Sequence, residues 1–383
     1  VQRWRISRLS GKQPDNGADF VTVQIINADC REALKGLADA SVQACITSPP
    51  YFGLRDYGVD GQIGLEESPA AFVAQMVEVF REVRRALRDD GTLWLNLGDS
   101  YASQGGSKST PHLGKHFVDR ARGQEVISRS KRLPRGEGRW GGGGAAGAEG
   151  LKPKDLMGIP WRVAFALQDD GWYLRQDIIW SKPNPMPESV TDRCTKAHEY
   201  LFLLSKSERY YFDAAAIAEP LAAASVARLA QDIAGQQGSD RMPCKTNGAM
   251  KAVRAKGNRK TFRGGGVYTK GQSFDNDAAP ANDSVGNAPN ERDTRNKRSV
   301  WTVATQPFKE AHFATFPPEL IEPCVLAGSR AGSLVLDPFG GAGTTGLVAD
   351  RLQRDAVLIE LNPQYAALAR KRITADAPLL AVG

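Results

Sequence analysis

Two stretches of this 383-residue chain hold residue types from which a group-transfer site can be built. The first is Ser48-Pro49-Pro50-Tyr51, which follows Thr47 just past the apolar run "VQACI". Proline fixes φ and has no N–H, so the Ser48 and Pro49 carbonyls are held in place as acceptors. Tyr51 adds an aromatic face. Acceptors beside an aromatic plate are what an extruded nucleobase with an exocyclic amine requires, because they hold the amino hydrogens and stack the ring. Stacking contributes ~1–3 kcal/mol per base, comparable to the cost of unpairing. The lone pair of such an amine is delocalised into the ring. Acceptors that draw its hydrogens out of plane localise that pair, which can then attack a methyl group on a sulfonium. Positioning and electrostatics suffice for this, with no covalent enzyme intermediate.

The second stretch is Gly341-Ala-Gly343-Thr-Thr-Gly346, a G-x-G-x-x-G run expected to follow a strand and open a helix. Its glycines let backbone approach a ligand, and a helix N-terminus presents unpaired N–H groups. Fourteen residues after Gly346 stands Glu360, at the end of the next expected strand, where a carboxylate can accept from both hydroxyls of a ribose. A nicotinamide dehydrogenase carries the same pattern, so the run by itself leaves the nucleoside ligand open. Two details favour a different ligand. Asp337-Pro338-Phe339 puts a carboxylate at the strand tip, which suits a cationic amino group and repels a pyrophosphate. The chain also runs only about twenty residues past Glu360, so strands from the N-terminal half must complete the unit.

The elements that position these residues are legible as alternating strands and helices, the pattern of an α/β sheet. "VTVQIINADC" reads as a strand ending at Asp29, "REALKGL" as a short helix, and "SVQACI" as a fully buried strand. Residues 69–91 read as a helix closed by Gly91, and "TLWLNLGD" as the next strand. Residues 160–183 are expected to form a helix and then a strand, and "HEYLFLLSKSERYYFD" a β-hairpin. A helix over 316–329, strand 332–337, helix 343–353, strand 355–362 and helix 363–374 complete the series. Residues 102–150, rich in Gly, Ser, Lys and Arg, read as a mobile basic insertion, and 214–300 as too polar to bury much alone.

Composition narrows the class. A net charge of +7 favours a polyanionic partner and equally fits a soluble protein with basic tails. The five cysteines include no C-x-x-C pair, which argues against a zinc ribbon or a disulfide framework; no metal site is expected. Residues 1–20 read as a loose polar arm without a signal peptide, no apolar run reaches membrane-span length, and a cytoplasmic protein is expected.

Taken in order, these segments resemble the β-class (permuted) amino-DNA methyltransferases, which depend on S-adenosylmethionine. "NADCREALKGL…VQACITSPPYFGLRDYG" resembles the family's adenine-contacting acidic segment and catalytic motif. "LRDDGTLWLNLGDSY" and "DIIWSKPNPMPES…HEYLFLLSKS" resemble the strands behind it, and "HFATFPPELIEPCVLAGS" and "VLDPFGGAGTTG…LIELNPQY" the cofactor helix and glycine loop. The resemblance implies a Rossmann-like, mostly parallel seven-stranded sheet with helices on both faces, a β-hairpin at one edge and circular permutation. It implies a catalytic half at 21–213, a target-recognition region at 214–300 and a cofactor half at 301–383. It makes Ser48, Pro49, Pro50 and Tyr51 the amine pocket and Asp29 the acceptor for the cofactor adenine amine. Asp337 would lie near the methionine moiety, Glu360 on the ribose hydroxyls, and Pro338, Phe339, Gly341, Gly343, Thr344 and Asn362 around the loop. His312, Phe313 and Pro317 fall in the cofactor helix and its lead-in. In this family a serine at the first motif position goes mostly with cytosine N4, and aspartate or asparagine with adenine N6. Ser48 therefore points to cytosine N4, with adenine N6 the alternative. Double-stranded DNA is the implied partner, and a cognate restriction endonuclease and a homodimer are left open.

Plainer readings stand beside these. Asp29 is also placed to cap the helix after it. Pro323-Cys324 looks like the nucleophile pair of cytosine-C5 enzymes, but it lies inside an apolar helical pattern, where cysteine acts as a small hydrophobe. Trp180 and Trp301 read as packing residues. The basic run 241–270 reads as a DNA-reading surface rather than a merely solvated one, and a catalytically silent DNA-binding module remains the other class of reading.

Overall fold

The computed structural model describes residues 3–6, 21–54, 58–102, 151–224, 226, 294–306 and 316–376. Its elements in chain order are β1 (Arg3–Ile6), β2 (Val21–Asn27), α1 (Cys30–Lys35), β3 (Val42–Thr47), α2 (Pro69–Ala86), β4 (Leu87–Leu97), α3 (Ile159–Asp169), β5 (Tyr173–Ser181), β6 (His198–Ser205), β7 (Glu219–Pro220), β8 (Thr294–Arg295), β9 (Val300–Thr302), α4 (Pro318–Gly328), β10 (Leu334–Asp337), α5 (Thr344–Arg351), β11 (Asp355–Glu360) and α6 (Pro363–Asp376). The chain divides into two compact units, Val1–Ile217 with Arg298–Gly383, and Ala218–Lys297. In the smaller unit the described residues include the antiparallel pair β7 and β8, tied by an Arg295–Glu219 ion pair.

The larger unit is built on one sheet in the order β1-β2-β11-β10-β3-β4-β6-β5-β9. Strands β2, β11, β10, β3 and β4 run parallel, and β6 is antiparallel to both β4 and β5. Every residue of β3 is buried, as a central parallel strand covered on both faces demands. Side chains alternate across the sheet, so Trp94 and Leu203 enter one core while Leu95 and Phe202 enter the other. Helices α1, α2 and α3 cover the Leu95 face, and α4, α5 and α6 the Trp94 face. Helix α2 shows why such helices form. Ser68 caps it by accepting from Ala71 N, Pro69 opens it, and Phe72, Met76, Val79, Phe80 and Val83 bury one stripe.

The seven expected strands are β2, β11, β10, β3, β4, β6 and β5, and two short edge strands widen the sheet. One of them, β1, pairs antiparallel with β2, so part of the N-terminal arm joins the sheet. Strand β2 ends at Asn27, two residues before the expected end, because Asp29 is taken as the cap of α1. Helix α2 stops at Ala86 rather than at Gly91. Leu87 already pairs with Val42, and a register shift there absorbs the polar turn-like residues into β4. The hairpin forms between β5 and β6, not within 198–213, because β6 is claimed on both sides by β4 and β5. Trp180 and Trp301 are buried and donate to Val303 O and Arg298 O, and Cys324 is buried in the α4 core. Most of 102–150, the run 241–270 and most of 214–300 lie outside the described residues. Among the described residues no helix is long and apolar enough to cross a membrane.

Candidate active site

Strands β10 and β3 are neighbours, but the chain leaves them in opposite directions. From β10 it runs through α5 to β11, and from β3 through α2 to β4, on the opposite face. Such a reversal opens a crevice at the carboxyl ends of the strands, where open α/β sheets bind ligands. The glycine loop follows β10 and Ser48–Tyr51 follows β3, so two segments far apart in sequence border one crevice.

Asp337 is the clasp between them. Its Oδ1 accepts from Thr47 Oγ1 at 2.6 Å and from Phe339 N at 3.0 Å, and its Oδ2 accepts from Thr345 Oγ1 at 2.6 Å. The residue is only 1% exposed. The carboxylate is therefore not the open acceptor for a cationic amino group that the strand-tip position suggested. Both oxygens are committed inward, joining β10, β3 and α5. Burial pushes its pKa up to about 6 from 3.8, against the three hydrogen bonds, which favour the charged form. The folded chain thus holds this proton more tightly than the unfolded one. Its contribution to stability is full below pH 3.8 and is lost as pH rises through about 6, by about 3 kcal/mol at most. Asp337→Asn is isosteric, and its amide can donate to Thr345 Oγ1. Thermal melts from pH 4 to 8 are expected to show the variant gaining on wild type across that window; a constant difference would contradict the assignment.

Glu360, at the tip of β11, braces the glycine loop. Its Oε2 accepts from Gly341 N and its Oε1 from Asn362 N, each at 2.8 Å. Burial raises its pKa, and the charge of Asp337 adds to the rise. Each oxygen keeps a further lone pair, and the residue is only half-buried, so the carboxylate remains able to accept from a diol. Gly343 sits at φ 76°, where a Cβ would come within 2.8 Å of Ala369 Cβ, so the loop packs flat against α6. Thr344 is buried and accepts from Arg372 Nη1 at 2.9 Å, while Asn362 Oδ1 accepts from Gln364 N at 2.9 Å. Pro338 is buried beneath the loop and Phe339 half-buried at its start.

One strand over, Ala28 N donates to Glu360 O at 3.2 Å, so Asp29 directly follows backbone paired with the end of β11. Asp29 does cap α1, accepting from Arg31 N at 2.8 Å. The Arg31 guanidinium grips both of its oxygens and, with donation from its own backbone N–H, holds the carboxyl below its usual range despite partial burial. Arg31 also donates to Gly61 O, tying this corner to the loop after Ser48–Tyr51. His312 and Phe313 lie outside the described residues.

On the other side of the crevice, Ser48 Oγ donates to Asn96 Oδ1 at 3.2 Å. The Tyr51 hydroxyl reaches Glu199 Oε2 at 2.8 Å and Asn96 Oδ1 at 3.1 Å. Asn96 Nδ2 donates to Tyr200 O at 3.1 Å, and Lys182 pairs with the other oxygen of Glu199. The Tyr51 ring rests on Gly98, where a Cβ would come within 2.4 Å of Cε2. Pro49 is buried and Pro50 half-buried, with Gly64 at φ 107° closing over Pro50.

Asn96, Gly98, Lys182 and Glu199 were not assigned roles from sequence. A signal was present: Asn96 is a lone amide in the apolar run "LWLNL", and an amide 2% exposed must find partners. Gly98→Ala should therefore act on Tyr51. We expect a fall of about 10²-fold in turnover with little change in melting temperature; a wild-type rate would place the ring elsewhere.

The fold is that of the Rossmann-like methyltransferases that use S-adenosylmethionine. Comparison with known proteins narrows the class. The family described as "DNA methylase", of the N6/N4 type, matches residues 42–371. The Type II methyltransferase M.SmaI of Serratia marcescens is 42% identical over 91% of this chain and 90% of its own. M.Cfr9I of Citrobacter freundii is 40% identical over 92% and 88%. The solved PvuII DNA methyltransferase, described as cytosine-N4-specific, shares the fold with a TM-score of 0.51 and 16% identity over 92% of this chain and 90% of that one. The chain belongs to the N6/N4 DNA methylase family, and it is a Type II DNA methyltransferase that takes its methyl group from S-adenosylmethionine.

Proposed function

We propose that the chain methylates the exocyclic N4 amine of a cytosine extruded from duplex DNA, with Ser48–Tyr51 as the amine pocket. The observation that carries this reading is the orientation of Ser48. Its hydroxyl proton is directed at Asn96 Oδ1, so its lone pairs are left to accept from an incoming amine. The Ser48 and Pro49 carbonyls supply further acceptors. Tyr51, with its hydroxyl anchored and its ring seated on Gly98, is a fixed plate for the base. Serine at the first motif position favours cytosine N4 over adenine N6, by the resemblance described above.

The residues on the cofactor side fit S-adenosylmethionine. Gly341 N is already given to Glu360, so a pyrophosphate at this loop would meet a carboxylate instead of a free N–H. A ribose diol finds two acceptors there. Glu360 would hold the ribose, Asp29 the adenine amine and Phe339 with Gly341 and Gly343 the loop wall; the bound cofactor supplies an electrophilic methyl on sulfur. The protein's task is to hold the amine hydrogens, orient the lone pair and keep the base stacked.

Residues 214–300, inserted between the catalytic and cofactor halves, are assigned to target recognition because of their basic composition. The Type II names of the relatives favour a cognate endonuclease as partner. Methylated DNA digested to nucleosides and analysed by mass spectrometry tests the base: N4-methylcytosine is expected, and N6-methyladenine would overturn the assignment.

A further inference from the structure

We propose that Met186 enters the duplex as an apolar wedge when the target base leaves it. The proposal rests on the reading of Ser48–Tyr51 as the base pocket. Residues 182–197 connect β5 to β6 at the sheet edge that carries this pocket, and Lys182 N closes the loop by donating to Ala197 O at 2.8 Å. The base of the loop touches the pocket directly, through Lys182 on Glu199 and Glu199 on the Tyr51 hydroxyl. Met186 is 70% exposed, the most exposed large apolar side chain among the described residues.

A single exposed apolar residue is ordinary on a mobile surface. This one is held out by a braced loop. Pro183, Pro185 and Pro187 alternate along it and restrict φ on both sides of Met186. Asn184 exchanges two hydrogen bonds with the backbone of Thr305, at 3.0 and 3.2 Å. On the return arm, Arg193 donates to Glu188 at 2.6 Å and lies 4.0 Å over the Tyr101 ring. Lys196 Nζ donates to Asp99 O at 3.0 Å. A loop stiffened in this way gains nothing in its own fold from presenting a thioether to water.

Duplex DNA is the substrate of this family, and it must approach the edge that carries Ser48–Tyr51. The loop is suited to meet it. Lys154 is 82% exposed beside the loop, and its ion pair with the exposed Asp192 is weak enough to yield to a phosphate. An extruded base leaves a gap in the stack and an unpaired partner. Unbranched, polarizable methionine fills irregular gaps, and apolar wedges of this kind offset unstacking.

The test uses the full chain with S-adenosylmethionine and synthetic duplexes carrying the site that single-molecule sequencing finds methylated in expressing cells. On the fully paired duplex, Met186→Ala is expected to slow single-turnover transfer at least tenfold, with an unchanged melting temperature. Met186→Leu, which keeps the apolar volume, holds the wild-type rate. Placing an abasic sugar opposite the target base removes most of the extrusion cost, and there Met186→Ala recovers to within twofold of wild type. Equal rates for Met186→Ala and wild type on the paired duplex overturn the proposal, as does the same loss on both duplexes or a leucine variant as slow as alanine. Product identity is read separately by mass spectrometry, so a wrong base assignment and a wrong wedge give different results.

Discussion

Tyr51→Ala is expected to reduce methyl transfer by about 10²–10³-fold while S-adenosylmethionine binding, followed by calorimetry, stays within twofold of wild type. The loss has two sources. Removing the ring forfeits ~1–3 kcal/mol of base stacking. It also frees the base to leave the attack geometry, a loss of orientation that falls on turnover. Tyr51→Phe separates the two, because it keeps the plate and deletes the hydroxyl that reaches Glu199 and Asn96. About a tenfold loss is expected, from a ring no longer pinned. Ser48→Ala removes the hydroxyl proposed to accept from the amine and should cost about 10²-fold. Unchanged turnover in both alanine variants would remove Ser48–Tyr51 from the chemistry. A parallel collapse of cofactor binding would instead make this turn part of the donor site.

Glu360→Ala should weaken S-adenosylmethionine binding by about 10–100-fold, the scale of losing charge-assisted hydrogen bonds to a diol. Duplex binding, read by fluorescence anisotropy at fixed salt, should hold because this carboxylate is bonded to the glycine loop, away from the proposed base pocket. Glutamine is no neutral replacement. Both Glu360 oxygens accept from backbone N–H groups, and an amide nitrogen would face one of them. The raised pKa of Glu360 adds a pH signature: protonation removes an acceptor, so cofactor affinity should fall with pH in wild type sooner than an ordinary carboxylate would make it, and not in the alanine variant. A dissociation constant within threefold of wild type in Glu360→Ala would displace the ribose from this residue.

The order of strands and helices, the glycine loop and the Ser-Pro-Pro-Tyr turn could be read from the sequence because each is a local matter. Apolar alternation reports burial, proline reports a fixed φ, and Gly343 reports a left-handed turn whose conformation few other residues adopt. Tertiary structure alone decided which polar groups remain available. Asp337 looks like an exposed strand-tip acid until Thr47, 290 residues away, is seen donating to it. Tyr51 looks like a free aromatic until Asn96 on β4, Gly98 just past its end and Glu199 on β6 are found to hold it. The hairpin falls elsewhere for the same reason, since β6 pairs with β5 before it and with β4, far back in the chain, and not with the residues that follow it. Residue type and spacing determine what a group can do. Whether a donor or acceptor is already taken depends on packing between distant segments, because a buried polar group must find its partner wherever the fold places one.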